Sequence, residues 1–296
     1  MSEVKKQKRR LGDRKDAYLV RGLDSMHVIM PHNMPKRTAN EAVIVEKVDL
    51  TAIKKYLEVK NADNPEFKYS FFHVILAAIA KTIVLRPYMN RFYSGRKLYQ
   101  RKDISMSFVV KKQFTDDAHE ALAIIKCEQE GVSPIEDIYG KVKKFVYSVR
   151  KEGKKGGTTD IMDVLKYLPR CVLRFFFWAL GVLEYFGLYP TSLMKEDPYY
   201  STCFATNLGS IKMHAQYHHL ADWGTNSLFV IVGEKKPTPF FNEDGSFEVK
   251  EALDLGITVD ERIADGVYFA KSIKILQHLL NSPELLEQPI ETPVEL

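Results

Sequence analysis

Apolar positions recur at two periods along this chain, and the switches between them mark its elements. Glu41 to Leu50 reads as a strand with Val43, Val45 and Val48 inward, and Thr51 to Leu57 opens a helix. Ser70 is a fitting N-cap for a helix to about Arg86, with Phe72, Ile75, Leu76, Ile79 and Ile83 on one face. Ile104, Met106, Phe108 and Val110 then alternate with outward positions that include Ser105 and Ser107, as in a half-buried strand. Ser133, Pro134 and Glu136 have the spacing of a capping box with proline at the first helical position. Ile135, Ile138, Val142, Phe145 and Val149 carry that stripe onward until the charged stretch Lys151 to Gly157 ends it. Later come a short strand from Cys203 to Thr206, the turn Asn207-Leu208-Gly209, and a continuous apolar run, Leu228 to Val232, that reads as a central strand. After the turn Asn242 to Gly245 a further strand runs from Phe247 toward Glu261. The final helix has Phe269, Ile273, Leu276 and Leu280 on one face and ends near Asn281-Ser282-Pro283. Isolated strands first, a cluster of strands near the end and helices between them predict an α/β fold of two layers, a mixed sheet with helices packed on it.

The chain divides into a basic arm, 1–22, expected to be flexible, a single domain, 23–286, and a Pro- and Glu-rich tail, 287–296, expected to fray. Within the domain, residues about 158–198 stand apart as a hydrophobic helical insert. Between Val172 and Tyr189 the only charges are Arg174 and Glu184, and Phe175-Phe176-Phe177-Trp178 lies at its centre.

Composition narrows the class. With 45% hydrophobic and 27% charged residues, the 296-residue chain has the balance of a soluble globular protein able to bury a sizeable core. Much of the net charge of +5 sits in the arm (Lys5, Lys6, Lys8, Arg9, Arg10), so no nucleic-acid partner is expected. Cys127, Cys171 and Cys203 lack C-x-x-C spacing, which fits a reducing compartment and neither a disulfide framework nor a zinc site. No apolar run follows the N-terminal charges. The expected location is the cytoplasm, or the inner membrane face as a peripheral protein.

Three segments share one pattern, in order. Val48-Asp49-Leu50-Thr51-Ala52-Ile53 resembles the first strand-to-helix turn of the dihydrolipoamide acyltransferase catalytic domain. Thr206-Asn207-Leu208-Gly209 resembles its [S/T]-N-L-G turn, and Asp260-Glu261-Arg262-Ile263-Ala264-Asp265-Gly266 resembles its D-H-R-x-x-D-G motif. Asn281 to Leu286 resembles the segment that closes the domain. The chain is thus similar to the CoA-dependent acyltransferase superfamily, which includes chloramphenicol acetyltransferase.

That resemblance implies attack of a thiol or hydroxyl on an acyl thioester, with acyl-CoA as substrate and neither prosthetic group nor metal. It also implies a homotrimer with the motif base on one subunit and the hydroxyl turn on its neighbour. Carried over by position, Glu261 stands where the family has its catalytic histidine, Thr206 is the oxyanion donor, and Asp265 is a scaffold carboxylate paired with an arginine, Arg21 or Arg37. Gly266 would permit the tight turn into the last helix, and Asn207, Gly209, His218 and His219 are further substrate-binding candidates. A carboxylate is a weak base near its reference pKa of about 4.3, against about 6.5 for imidazole, so Glu261 as general base requires burial to raise it. His218 and His219 are an alternative source of imidazole, although adjacent residues on an extended segment point apart. The other class of reading is a catalytically inactive, acyltransferase-like binding or scaffold protein. For the insert, residues 168–194 suit a membrane surface or lipid, an acyl-chain pocket, or a neighbouring subunit.

Overall fold

The computed structural model describes residues 8–111, 120–152, 165–215 and 217–295. Its strands are β1 (Ala17–Leu19), β2 (Glu41–Asp49), β3 (Arg91–Ser94), β4 (Lys97–Arg101), β5 (Ile104–Lys111), β6 (Glu120–Cys127), β7 (Cys203–Asn207), β8 (Leu228–Val232), β9 (Lys236–Phe241) and β10 (Phe247–Asp260). Its helices are α1 (Ser25–Asn33), α2 (Thr51–Lys60), α3 (Phe71–Leu85), α4 (Pro134–Glu152), α5 (Arg170–Tyr185), α6 (Thr191–Glu196) and α7 (Gly266–Asn281). The main sheet runs β2-β10-β8-β7-β5-β6, with β9 also paired to β10. Strands β5, β7 and β8 are mutually parallel and the other pairings antiparallel, so the sheet is mixed as the strand order suggests. A second sheet, β1-β4-β3, stands beside it.

Helices cover one face of the main sheet. The side chains of α3 are buried from His73 to Ile83 on every side, which explains a composition apolar all round. They pack with Ile135, Ile138 and Val142 of α4 and Leu276, Leu279 and Leu280 of α7 against Val230, Leu255 and Ile257 of the sheet. A fully buried side chain of this size stabilises the fold by about 1.5–3 kcal/mol. The other face carries Phe204, Phe229 and Ile231, covered by Leu208, Ala215 and Leu220 of the long loop between β7 and β8.

Ser70 caps α3 as expected, and His73 completes the capping box: its Nδ1 accepts from the Ser70 N–H at 3.0 Å. The Nε2 proton is then left buried with no acceptor among the described residues, and burial pushes the ring pKa down to about 4.

Several expectations need correction. Val43 and Val45 face outward, while Ala42, Ile44 and Val48 join the core. Four apolar residues in a row hide the phase, and it is set by pairing with β10, which places Ile44 beside the buried Ile257. Ser133 receives the Glu136 N–H at 3.5 Å, but the Glu136 carboxylate turns away to Lys60 and Tyr69, so the reciprocal half of that box is not made. From Asp13 onward the arm is integrated: Asp13, Arg14 and Ala17 are buried and β1 pairs with β4. The tail docks too. Ile290 is buried, its N–H donates to Val132 O at 3.0 Å, and the fully buried Lys81 donates to Leu285 O (2.9 Å) and Pro289 O (3.2 Å).

The described part of the insert forms α5 and α6. Phe176, Leu180 and Leu183 of α5 pack on Tyr189, Tyr200 and Trp223. Arg14, itself buried, joins Glu184 at 2.8 Å and Asp16 at 2.9 Å and so ties α5 to the small sheet. The turn between β3 and β4 fits under the end of α5 only because residue 95 is glycine. Its φ is +53°, and a Cβ there would lie 2.0 Å from Tyr185 O.

Candidate active site

Strand β10 ends at Asp260 and passes through one 3-10 turn, Glu261–Ile263, into α7. A buried ion pair holds that turn. Arg262 Nε donates to Asp260 Oδ1 at 2.8 Å and Nη2 to Oδ2 at 2.7 Å, and the Arg262 N–H also donates to Oδ1 at 3.2 Å. The remaining Arg262 nitrogen, Nη1, donates to Met34 O (3.0 Å) and Pro35 O (3.2 Å), and the guanidinium lies 4.9 Å from the centre of the Tyr93 ring. Arg37 adds a second cation, its Nε 3.8 Å from Asp260 Oδ2, while its Nη2 donates to Gly224 O at 3.2 Å. Burial works against this guanidinium, and Asp260 works in its favour.

This corrects the expected pairing. Arg37 serves Asp260 and Arg21 pairs with Asp13 at 3.0 Å, so neither meets Asp265. Asp265 is exposed and acts as the N-cap of α7, accepting the Tyr268 N–H at 2.7 Å. Gly266 has no atom within 4 Å of where a Cβ would stand and no positive φ, so the turn does not require glycine there. Glu261 is held by its backbone, its N–H donating to Asn40 O at 2.9 Å. Its carboxylate is exposed and has no partner among the described residues. Burial by apolar groups is therefore not provided by this chain alone.

Thr206, half-buried near the end of β7, points to the helix-free face, as Phe204 does, and its hydroxyl has no partner among the described residues. Asn207 is occupied structurally, its side chain accepting the Ser210 N–H at 3.2 Å. Gly209 is needed for a close backbone approach: a Cβ there would lie 2.4 Å from Gly233 O. Thr206 pairs with Ile231, which pairs with Gly256. Glu261 is thus two strands across and five residues along from Thr206, roughly 19 Å away. The two do not meet within one chain.

His218 and His219 are exposed on the loop between them. Their rings stack at 5.0 Å instead of pointing apart, because the segment is not a strand. His218 also lies flat on Phe229, ring centres 3.9 Å apart. Its Nδ1 is 2.8 Å from His219 O, and a carbonyl only accepts, so Nδ1 holds the proton and Nε2 keeps the lone pair of the neutral ring. Leu220 N–H and Tyr217 O–H bind Glu41, the register partner of Asp260, and so fasten this loop to the Glu261 end of the sheet. A cavity of about 300 Å³ lies behind the turn, with Arg37, Tyr93, Trp223, Arg262 and Tyr185 in its wall. Neither Glu261 nor Thr206 lines it. The Asp260–Arg262 clamp was not anticipated, although its two members flank Glu261 in the sequence.

No family model matches the chain, and no curated protein matches it by sequence. Solved structures do match. A probable dihydrolipoamide acetyltransferase from Listeria monocytogenes superposes with a TM-score of 0.57 at 15% identity, covering 86% of this chain and 88% of that one. The cubic core of a pyruvate dehydrogenase multienzyme complex gives 0.58 at 14% identity, over 90% and 93%. A chloramphenicol acetyltransferase gives 0.55 at 9% identity, over 89% and 99%. This chain has the fold shared by the dihydrolipoamide acyltransferase catalytic domain and chloramphenicol acetyltransferase.

Proposed function

We propose that this protein transfers an acyl group from a thioester, acyl-CoA, to a thiol or hydroxyl acceptor, as a homotrimer whose sites lie between subunits. Glu261 of one subunit takes the acceptor's proton as it attacks the thioester carbonyl, and Thr206 of the next donates to the oxyanion. Collapse of the tetrahedral intermediate breaks the C–S bond, and the proton passes to the leaving CoA sulfur. One observation carries this reading. Two polar groups without partners among the described residues, Glu261 and Thr206, stand at opposite ends of one sheet, and a buried ion pair fixes the backbone beside Glu261. The helix-free face also leaves Val43 and Val45 uncovered, an apolar edge suited to a second subunit. Such packing would withdraw water from Glu261, the condition under which a carboxylate becomes a useful base.

A second reading has its own support. His218 lies on the same face, with Nδ1 tied to a carbonyl and Nε2 free, and would supply the imidazole in place of Glu261.

Titration of free thiol released from a panel of acyl-CoAs, with thiol and alcohol acceptors, tests both. Glu261→Gln is expected to slow release by about 10²–10⁴-fold. Thr206→Ala is expected to slow it by about 10²–10³-fold. An unchanged rate in Glu261→Gln with a collapse in His218→Gln would move the base to His218. CoA binding without release in any acyl-CoA would leave a scaffold protein.

A further inference from the structure

We propose that α5 lies flat in the surface of an anionic lipid bilayer and anchors the protein there. One face of this helix is used up inside the molecule, where Phe176, Leu180 and Leu183 pack. The opposite face is where a solvated helix would carry charge. Here it presents Phe175, Trp178, Val182 and Tyr185, spaced three or four residues apart, at 67%, 63%, 38% and 50% exposure. Phe186 and Leu188 extend the apolar surface past the helix end.

The exposed charges of α5 itself are of one sign. Arg170 and Arg174 are exposed on its first turns, and Lys166 is exposed in the turn before it. Glu184 is the only acid from 165 to 195, and it is consumed by Arg14 at 2.8 Å. At the far end Tyr185 lines the 300 Å³ cavity together with the exposed Lys36 and Arg96 and with Asp222, whose carboxylate accepts from the Thr38 hydroxyl. An apolar stripe with cations at both ends, on a helix whose one acid is ion-paired, matches lipid tails beneath anionic headgroups. A protein partner would have to supply the acids. The geometry is in-plane: 16 residues give a helix about 24 Å long, against roughly 30 Å for a bilayer core. Among the described residues no helix is long and apolar enough to cross a membrane. The anchor stands on its own, whether or not the protein transfers acyl groups.

Flotation of the full chain with vesicles tests it. Binding is expected to vesicles containing phosphatidylglycerol and not to pure phosphatidylcholine, and it should fall as salt is raised. The pair Phe175→Ser and Trp178→Ser should weaken vesicle binding by roughly tenfold or more. Because both side chains are exposed, the melting curve should stay unchanged. Arg170→Gln with Arg174→Gln should abolish the preference for the anionic lipid. No binding to phosphatidylglycerol vesicles at low salt, or binding that survives both pairs, would overturn the anchor. So would a serine pair that splits a larger assembly into a smaller one on sedimentation, since the stripe would then cover a second copy.

Discussion

Around Glu261 the chain invests its strongest polar interactions in backbone position. Asp260 is fully buried and Arg262 nearly so, and together they satisfy each other bidentately. Arg262→Ala would leave that carboxylate with the backbone N–H of residue 262 and with Arg37, 3.8 Å away and not hydrogen-bonded to it through Nε. The expected loss is about 3–5 kcal/mol, seen as a lower urea midpoint. Asp260→Asn with Arg262→Met should recover only part of it, because the stranded carboxylate is neutralised but the buried Arg37 loses its nearby anion. His73 makes a separate prediction. Burial holds its pKa at about 4 against an ordinary 6.5, so the folded state resists a proton that the unfolded chain accepts. Its contribution is therefore complete above pH 6.5 and is lost as pH falls toward 4, by up to about 3 kcal/mol. His73→Gln keeps an acceptor for the Ser70 N–H and should flatten that part of the stability–pH curve. A slope unchanged in the variant would assign it to other groups. At this scale the sequence placed Glu261 at the family's histidine position by resemblance, but it did not show how the neighbouring residues pair. Two carboxylates five positions apart compete for the same arginines, and only the fold brings Arg37 to Asp260.

Elements were legible where one period dominates. The alternation from Ile104 to Val110 and the apolar run Leu228–Val232 became β5 and β8 within a residue of their read limits. The phase of a strand was lost where apolar residues also occupy an exposed face. The β2 phase was inverted because Ala42 to Val45 are all apolar. Burial decided by a single distant contact was also hidden, as in the tail. There the Lys81 ammonium, buried in the mostly apolar α3, finds its acceptors among the described residues in Leu285 O and Pro289 O. Burial lowers its pKa, and those carbonyls are its direct hydrogen-bond partners. Deleting residues 287–296 removes Pro289 O and the buried Ile290 side chain, whose burial alone is worth about 1.5–3 kcal/mol. Thermal denaturation of the truncated chain should show at least that loss, and Lys81→Met should restore part of it in the truncated background. An unaltered melting temperature on truncation would show that the docking contributes nothing. The Gly209 approach to Gly233 belongs to the same scale. Gly209→Ala places a methyl 2.4 Å from a backbone oxygen, so the Thr206 turn must open. Activity should fall with it while the distant His73-dependent slope persists.

At the scale of the whole molecule, the separation of Thr206 from Glu261 is the consequential fact. Strand register puts them roughly 19 Å apart in one chain, too far for a base and an oxyanion donor to serve the same carbonyl. If they act together, one subunit supplies the base and its neighbour the hydroxyl, and a monomer is inactive. Cyclic assembly gives every interface the same two half-sites, which makes complementation measurable. Thr206→Ala keeps the base and Glu261→Gln keeps the hydroxyl. Co-refolded at equal amounts, they combine at random, and an interface is intact only when the first kind supplies its base and the second its hydroxyl. That occurs at about a quarter of interfaces, so a mixture of two inactive proteins should recover about a quarter of wild-type CoA release. Recovery near that level requires a shared site, because no chain in the mixture holds both groups. A mixture as inactive as its parts would place both groups in one subunit. His218, stacked on Phe229 of β8, would then be the base to test.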